Sequence, residues 1–237
     1  MSQKMMGRYL PVLAYGLLFV QMARCQPFEP DVPIQVLPQP TPLAGKQIAF
    51  VFEDGPLPQS TAILLDALQK LGMKATFAVT GENVERNPGL ARRIVAEGHE
   101  LANHTYSLSD LKRLTPADLV REIRAGGEAI TRVTGVKPRY FRATNGELQD
   151  EELRAAIQAE GYEVLDCTLD SGDWRNPSPA KLTRTILAGT DPGTVILAHE
   201  SFPKSAKEMP AVFDALAKRG FVLCTVSDLH PANGHQP

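Results

Sequence analysis

The sequence has few cysteines, no apolar run long enough to cross a membrane, and no excess of positive charge. Two of its three cysteines, Cys167 and Cys224, lie within apolar, strand-like runs and either pair in an oxidising compartment or remain buried thiols; the sequence leaves both open. The mostly apolar run Leu10–Val20 is too short for a bilayer, which argues against a stable membrane anchor. A formal charge of −2 does not suit nucleic acid as a partner, because phosphate contacts need clustered lysine and arginine.

The start of the chain has the pattern of a secretory signal. Basic residues precede the apolar run Leu10–Val20, and Ala23 stands at the third position before the bond that follows Cys25. We therefore expect residues 1–25 to be removed and the mature protein to be secreted to the extracellular side. Removal takes away three basic residues and no acidic one, so the formal charge moves from −2 to −5.

A proline-rich stretch separates this signal from the folded part of the chain. Residues 26–45 contain six prolines and no apolar periodicity, which predicts an extended leader or linker. The composition, 43% apolar and 22% charged, suits one globular domain with a full core. We therefore predict a single domain over residues 46–230, followed by a short tail over residues 231–237.

From residue 46 onward, short apolar runs alternate with amphipathic stretches. Strand and helix in alternation indicate parallel strands joined by crossover helices. Such units close into a (β/α) barrel or form a doubly wound open sheet, and in barrels the chemistry gathers at the carboxyl ends of the strands. The predicted strands are 46–54, 74–80, 100–102, 138–142, 162–168, 193–199 and 221–226. The predicted helices are 58–72, 88–98, 115–134, 149–160, 178–189 and 209–219.

Five of the predicted strands end in polar residues that do not match the apolar runs before them. Taken singly, each has an ordinary explanation, such as a helix cap, a solvated charge or a satisfied histidine. Five such ends on one rim of a barrel favour a functional site instead. The strand ends are Glu53-Asp54, Asn103-His104, Arg142, Asp170–Trp174 and His199-Glu200.

The ordered motifs at these strand ends resemble those of the polysaccharide deacetylases. They read VFEDGP, NHTYS, FRATNG, DSGDW and ILAHE, and the resemblance, including the spacing between them, covers residues 46–228. It implies an α/β fold, a distorted (β/α) barrel in a single domain. It also implies hydrolysis of the acetamido groups of N-acetylglucosamine polymers such as chitin or peptidoglycan, with one divalent metal, commonly zinc.

The resemblance assigns the catalytic roles to four residues. Glu53 falls at the position of the catalytic base, and Arg142 at that of the arginine that orients it. His199 falls at the position of the general acid, which Asp173 tunes. The chemistry suits these residue types, because a carboxylate can take a proton from water and a histidine can give one to the leaving amine.

The resemblance also assigns metal-binding and substrate-binding roles. Asp54 and His104 fall at positions of metal ligands. Trp174 and Leu197 would line the pocket for the acetyl group. The backbone N–H at Asn145 would stabilise the oxyanion that forms when the amide is attacked.

The chain departs from the family pattern in three of the five motifs. Leu108 stands where the family has a second metal-binding histidine, four residues after His104 and expected on the same face of one helical turn. A leucine cannot bind zinc, and catalytic zinc sites generally have three protein ligands. Glu53 replaces an aspartate, which carries the carboxylate one methylene further out, and Ala143-Thr144 replaces two prolines. We therefore expect zinc to be weakly bound or absent.

Two main functions remain open on these residues. In the first, the protein is a metal-dependent deacetylase that acts on an acetylated polysaccharide with a degraded metal site. In the second, it is a secreted carbohydrate-binding relative that has lost catalysis. A scaffold without sugar affinity is a third alternative, against which the retained Trp174 argues. The sequence leaves the polymer and the oligomeric state open.

Overall fold

Eight strands and eight α-helices lie in residues 46–108, 110–143 and 150–231, the part of the chain that this computed structural model describes. The strands are β1 (Lys46–Gly55), β2 (Thr76–Val79), β3 (Glu100–Asn103), β4 (Tyr140–Phe141), β5 (Glu163–Val164), β6 (Leu169–Asp170), β7 (Val195–His199) and β8 (Phe221–Cys224). The helices are α1 (Thr61–Leu71), α2 (Gly81–Arg86), α3 (Pro88–Ala96), α4 (Pro116–Thr134), α5 (Glu151–Ala159), α6 (Pro179–Gly189), α7 (Pro203–Lys218) and α8 (Val226–Leu229). Single turns of 3₁₀-helix cover Leu111–Arg113 and Asp173–Arg175.

The strands pair in parallel within one curled sheet. The order along the sheet is β5-β4-β3-β2-β1-β7-β6, and β8 pairs with the first half of β1. Followed around a circle from β1, the strands keep the order of the chain through β7, and the circle is open between β5 and β6, where the described residues form no pairing. This order confirms the predicted distorted (β/α) barrel in a single domain and excludes a doubly wound sheet.

The two faces of β1 explain how the core positions the site. Phe50 faces the surrounding helices, where its ring packs edge-on against that of Phe213 at 5.3 Å. Burial of one phenylalanine contributes about 1.5–3 kcal/mol. Ala49 and Val51 pack with residues of neighbouring strands on the interior face. Since alternate residues of a strand share a face, Glu53 falls on the interior face as well.

Some elements differ from the sequence prediction. The predicted strand 162–168 is reduced to the short strand β5, and β6 follows only at Leu169–Asp170, because the chain crosses the open side of the barrel between them. Helix α7 begins at Pro203 rather than at residue 209, and proline suits the first helical position because no N–H is needed there. The short helices α2 and α8 are additional to the predicted elements.

Both cysteines of the described chain are free thiols, so Cys167 and Cys224 do not pair. Within the same residues, no helix is both long and apolar enough to cross a bilayer. The predicted signal and leader, residues 1–45, and the tail after residue 231 lie outside the described residues.

Candidate active site

The end of β1 presents two carboxylates to one pocket because the strand bulges at Asp54. The pairing of β1 with β2 shifts register between Glu53 and Gly55, and Asp54 has a left-handed backbone with φ 72°. A bulge re-aims a side chain that would otherwise face away from that of its neighbour. As a result, His104 Nε2 lies 3.6 Å from Asp54 Oδ1 and 3.8 Å from Glu53 Oε2.

Glu53 forms a buried ion pair with Arg142. The Arg142 Nε donates to Glu53 Oε1 at 2.5 Å, and the two side chains are 7% and 6% exposed. The Arg142 backbone N–H donates to Asn103 O at 2.9 Å, which fixes the arginine at the strand rim. Burial raises the pKa of Glu53, but the charge on His104, the hydrogen bond from His199 and the charge on Arg142 outweigh it and lower that pKa to about 2. Glu53 is therefore ionised at neutral pH.

His104 is oriented by a backbone carbonyl. Its Nδ1 donates to Arg142 O at 2.7 Å, and because a carbonyl only accepts, the proton of the neutral ring lies on Nδ1. Burial lowers the pKa of His104, but the carboxylates of Glu53 and Asp54 more than offset this and raise it. The second ring nitrogen, Nε2, is therefore available to hold a proton beside the carboxylates or to bind a metal ion in its place.

The loop after His104 is not a helical turn, so the predicted geometry of Leu108 is wrong. Thr105 and Leu108 both have left-handed backbones, with φ 69° and φ 59°, and these interrupt a helix. The Glu122 carboxylate of α4 accepts hydrogen bonds from two backbone N–H groups in the loop, at 2.9 and 3.1 Å. Leu108 is 39% exposed. The spacing of four residues therefore does not put positions 104 and 108 on one helical face.

Glu53, Asp54 and His104 form a donor set that fits a divalent metal. One ligand atom from each residue lies within 4.8 Å of the other two. Bonds of about 2.0–2.2 Å in a tetrahedral zinc site separate ligand atoms by about 3.3–3.6 Å, close to the 3.6 and 3.8 Å that separate His104 Nε2 from the two carboxylates. Asp54 and His104 would hold the ion, and Glu53 brings a third possible donor within reach, a second carboxylate that the sequence did not identify as a ligand.

His199, at the end of β7, is held by a buried aspartate. Its Nδ1 forms a hydrogen bond with Asp173 Oδ1 at 2.8 Å, and its backbone N–H donates to Asp173 Oδ2, also at 2.8 Å. Asp173 Oδ2 also accepts from Ser205 Oγ at 3.0 Å. Burial lowers the pKa of His199, but the hydrogen bonds and charges of Asp173 and Glu53 raise it to about 10. His199 is therefore a protonated imidazole at neutral pH and can act as a proton donor.

The structure describes two of the three residues predicted to bind substrate. Trp174 lies in a 3₁₀ turn at the rim, 46% exposed, with its Nε1 donating to Asp170 Oδ2 at 3.1 Å. Leu197 is half-buried on the same face of β7 as His199, two residues earlier. Asn145 lies outside the described residues.

Two residues that the sequence did not single out hold Asp54 in place. The Ser201 hydroxyl donates to Asp54 Oδ2, which leaves Oδ1 facing His104. The Asn83 side-chain amide of α2 donates to Asp54 O at 2.7 Å. A serine after a strand and an asparagine in a short helix have no distinctive sequence signal, so both roles become visible only when the tertiary contacts are known.

Comparisons with known proteins find relatives of this chain in sequence and in overall structure. The family model described as polysaccharide deacetylase matches residues 41–165. A chitooligosaccharide deacetylase of Bradyrhizobium is 32% identical over 200 residues, 78% of this chain and 91% of that protein. A peptidoglycan-N-acetylglucosamine deacetylase of Bacillus cereus is 32% identical over 160 residues, 68% of this chain, which spans only 58% of that relative. A variant of the Bacillus subtilis peptidoglycan deacetylase PdaC superposes with a TM-score of 0.74 and 30% identity, over 78% of this chain and 90% of that one.

Proposed function

Because the chain belongs to the polysaccharide deacetylase family, we propose that it hydrolyses the acetamido groups of an N-acetylglucosamine polymer. One observation carries the proposal. At the rim of the barrel an ionised Glu53 and a protonated His199 lie side by side, with Oε2 and Nε2 3.4 Å apart. A general base and a general acid next to each other are what amide hydrolysis needs.

The proposed reaction divides the proton transfers between these two groups. Glu53 Oε2 accepts a proton from the attacking water, while Arg142 binds Oε1 and fixes the orientation of the carboxylate. His199 Nε2 then donates its proton to the amide nitrogen, the C–N bond breaks, and acetate and a free amine leave. Asp173 keeps His199 oriented and protonated until that step.

Asp54 and His104 would hold a divalent metal, which we propose to be zinc. When bound, it would polarise the amide carbonyl and lower the pKa of the water. In the ligand state His104 gives up the Nε2 proton, while its Nδ1 hydrogen bond to Arg142 O keeps the ring in place.

The proposed substrate is an acetylated polysaccharide outside the cell. The two curated relatives are named for peptidoglycan N-acetylglucosamine and for chitooligosaccharides, and the exposed ring of Trp174 offers a surface for a sugar at the rim. The secretory pattern of residues 1–25 supports the same location. The intact mass of secreted protein should correspond to a chain that begins at Gln26, whereas a soluble cytoplasmic product that retains Met1 would contradict export.

A second candidate is a carbohydrate-binding relative without catalysis. Leu108 favours it, because it stands where the family pattern has a metal-binding histidine. The two candidates differ in acetate release rather than in sugar binding.

The experiment is to incubate the purified protein and zinc with an N-acetylglucosamine pentamer or with peptidoglycan fragments, and to measure acetate. We expect release by the wild type and a loss of about 100-fold or more in Glu53→Gln, since general base catalysis contributes about 10²–10⁴-fold. Glu163→Gln, an exposed acid on β5, is the matched control and should retain the wild-type rate. Sugar binding without acetate release would favour the second candidate.

A further inference from the structure

One buried carboxyl group at the rim has no part in the chemistry proposed above. Glu200, the residue after His199, is 0% exposed. Its Oε2 accepts hydrogen bonds from the Thr61 hydroxyl and from the Leu57 backbone N–H, the latter at 3.4 Å. Its Oε1 has no hydrogen-bond partner among the described residues. A buried carboxyl oxygen without a partner is costly, so it calls for an explanation.

Glu200 lies under the bulge that aims Asp54. Alternate residues of a strand face opposite sides, so His199 points into the barrel and Glu200 toward α1. There its Oε1 lies so close to Gly55 that a Cβ at that position would overlap it. Only glycine at position 55 leaves room for the carboxyl.

The backbone of Glu200 ties three segments together at this point. Its N–H donates to Glu53 O at 2.8 Å, which joins the end of β7 to the end of β1. Its carbonyl accepts from the Ser60 hydroxyl at 2.6 Å, which joins the same point to the start of α1. The next residue, Ser201, donates to Asp54 Oδ2. The carboxyl group therefore fills the space between the ends of β1 and β7. The relative position of these strand ends determines the geometry of the site.

Burial, together with a smaller contribution from the charge on Asp54, raises the pKa of Glu200 to about 8 against the hydrogen bonds from Thr61 and Leu57. The group is thus mainly an uncharged carboxylic acid at neutral pH, and a glutamine would match it in size and polarity.

We propose that Glu200 is a positioning residue: its side chain, packed against Gly55, holds the left-handed turn at Asp54 and thereby the spacing between Asp54 and His104. The inference rests on the proposed function, because it concerns the donor set of that same site. It assigns Glu200 no contact with substrate, and its effect on the reaction passes through Asp54.

The test compares Glu200→Ala, which empties the space, with Glu200→Gln, which fills it. Glu200→Asp keeps the acid but withdraws it by one methylene, and serves if the alanine variant does not fold. Glu100→Ala is the matched control, because Glu100 accepts from the Thr76 hydroxyl at 2.8 Å at the start of β3, away from the site. For each variant, zinc affinity is measured by titration calorimetry, kcat and KM by acetate release, and the Asp54–His104 separation by crystallography.

We expect Glu200→Ala, and to a smaller extent Glu200→Asp, to bind zinc about 10–100-fold more weakly, as is typical when support of a metal ligand is lost. The loss of activity should appear in kcat rather than KM. Glu200→Gln should keep most of the wild-type kcat and zinc affinity. Glu100→Ala should change neither zinc affinity nor kcat.

Wild-type zinc affinity and an unchanged Asp54–His104 separation in Glu200→Ala, or in Glu200→Asp, would overturn the inference. The separation can be measured whether or not the protein releases acetate or binds zinc. An inactive wild type would therefore overturn the proposed function and leave the role of Glu200 to be decided by the spacing alone.

Discussion

Glu53 Oε2 lies 3.4 Å from His199 Nε2, so an anionic carboxylate and a cationic imidazole face each other at the rim of the barrel. The pKa of Glu53 is lowered to about 2 and that of His199 is raised to about 10, and each group contributes to the shift of the other. Two titratable groups whose pKa values are driven apart are typical of an acid and base pair. A change at one partner should therefore alter the titration of the other.

Asp173→Asn should lower the pKa of His199. Burial lowers that pKa, and the Asp173 carboxylate is the leading cause that raises it to about 10. His199 must be protonated to act as the acid, so activity falls as the pH rises through its pKa. We expect the alkaline limb of the kcat profile to move to lower pH by at least about one unit. The pH–rate profile and an NMR titration of His199 measure this.

The matched control for this variant is Asp170→Asn. Asp170 precedes the same 3₁₀ turn, but its side chain accepts from the indole of Trp174. The alkaline limb of the kcat profile of Asp170→Asn should therefore stay at the wild-type pH. An unmoved limb in Asp173→Asn would contradict the role assigned to Asp173.

Arg142→Met should destabilise the fold strongly. It leaves the Glu53 carboxylate buried without the cation that binds it at 2.5 Å. Breaking a buried ion pair on one side typically costs about 3–5 kcal/mol of unfolding free energy. Arg139→Met breaks the Arg139–Glu163 pair, whose side chains are 31% and 57% exposed, and should cost no more than about 1 kcal/mol. Urea unfolding measures both, and equal losses would count against the burial argument.

Glu200→Gln should make the free energy of unfolding less sensitive to rising pH. The ordinary pKa of the group is 4.5, and in the folded protein it is raised to about 8. Between these values the unfolded chain has released the proton and the folded chain retains it, so the wild type loses stability as the pH rises.

Glutamine does not titrate, so this loss is absent from the variant. The stability of Glu200→Gln relative to the wild type should therefore increase from pH 4.5 to pH 8, by at most about 5 kcal/mol at 1.36 kcal/mol per pKa unit. Urea unfolding at pH 5 and pH 8 measures the difference. A difference that is the same at both pH values would show that Glu200 ionises normally in the folded state.

Much of the fold was predictable from the sequence because the apolar runs indicate where the strands lie. The alternation of strand and helix predicted parallel pairing, and the runs end where the polar residues begin. The shortening of the predicted strand 162–168 to β5, with β6 following it, was not predictable, since it depends on where the barrel opens. The start of α7 at Pro203 was missed although proline at a first helical position is a known signal.

The candidate site was predictable in its residues and less so in its geometry. The structure brings Glu53, Asp54 and His104 together, as expected of strand ends on one rim. The positive φ of Asp54 is fixed by the bulge in strand pairing, which a single-chain pattern does not encode. The burial of Glu200 depends on the close approach of Gly55, 145 positions earlier in the chain, so a polar strand end gave no hint of it.

Leu108→His should raise the affinity for zinc, because leucine contributes no donor atom and the family pattern has a metal-binding histidine at this position. The loop is not helical, but Glu122 pins its backbone, and the Leu108 N–H donates to Thr105 Oγ1 at 3.0 Å. Histidine tolerates the left-handed backbone at position 108, where φ is 59°. A further ligand should strengthen binding by about 10-fold or more, since even an outer-shell partner contributes about 10–100-fold.

Leu108→Asn is the matched control, because asparagine suits the same backbone but is a poor zinc ligand. It should bind zinc as the wild type does, while Leu108→His should bind it more tightly in titration calorimetry, with the fold checked by circular dichroism. Tighter binding in both variants would point to a backbone effect instead of a new ligand. Unchanged binding in Leu108→His would mean that position 108 does not face the donor set of Asp54 and His104.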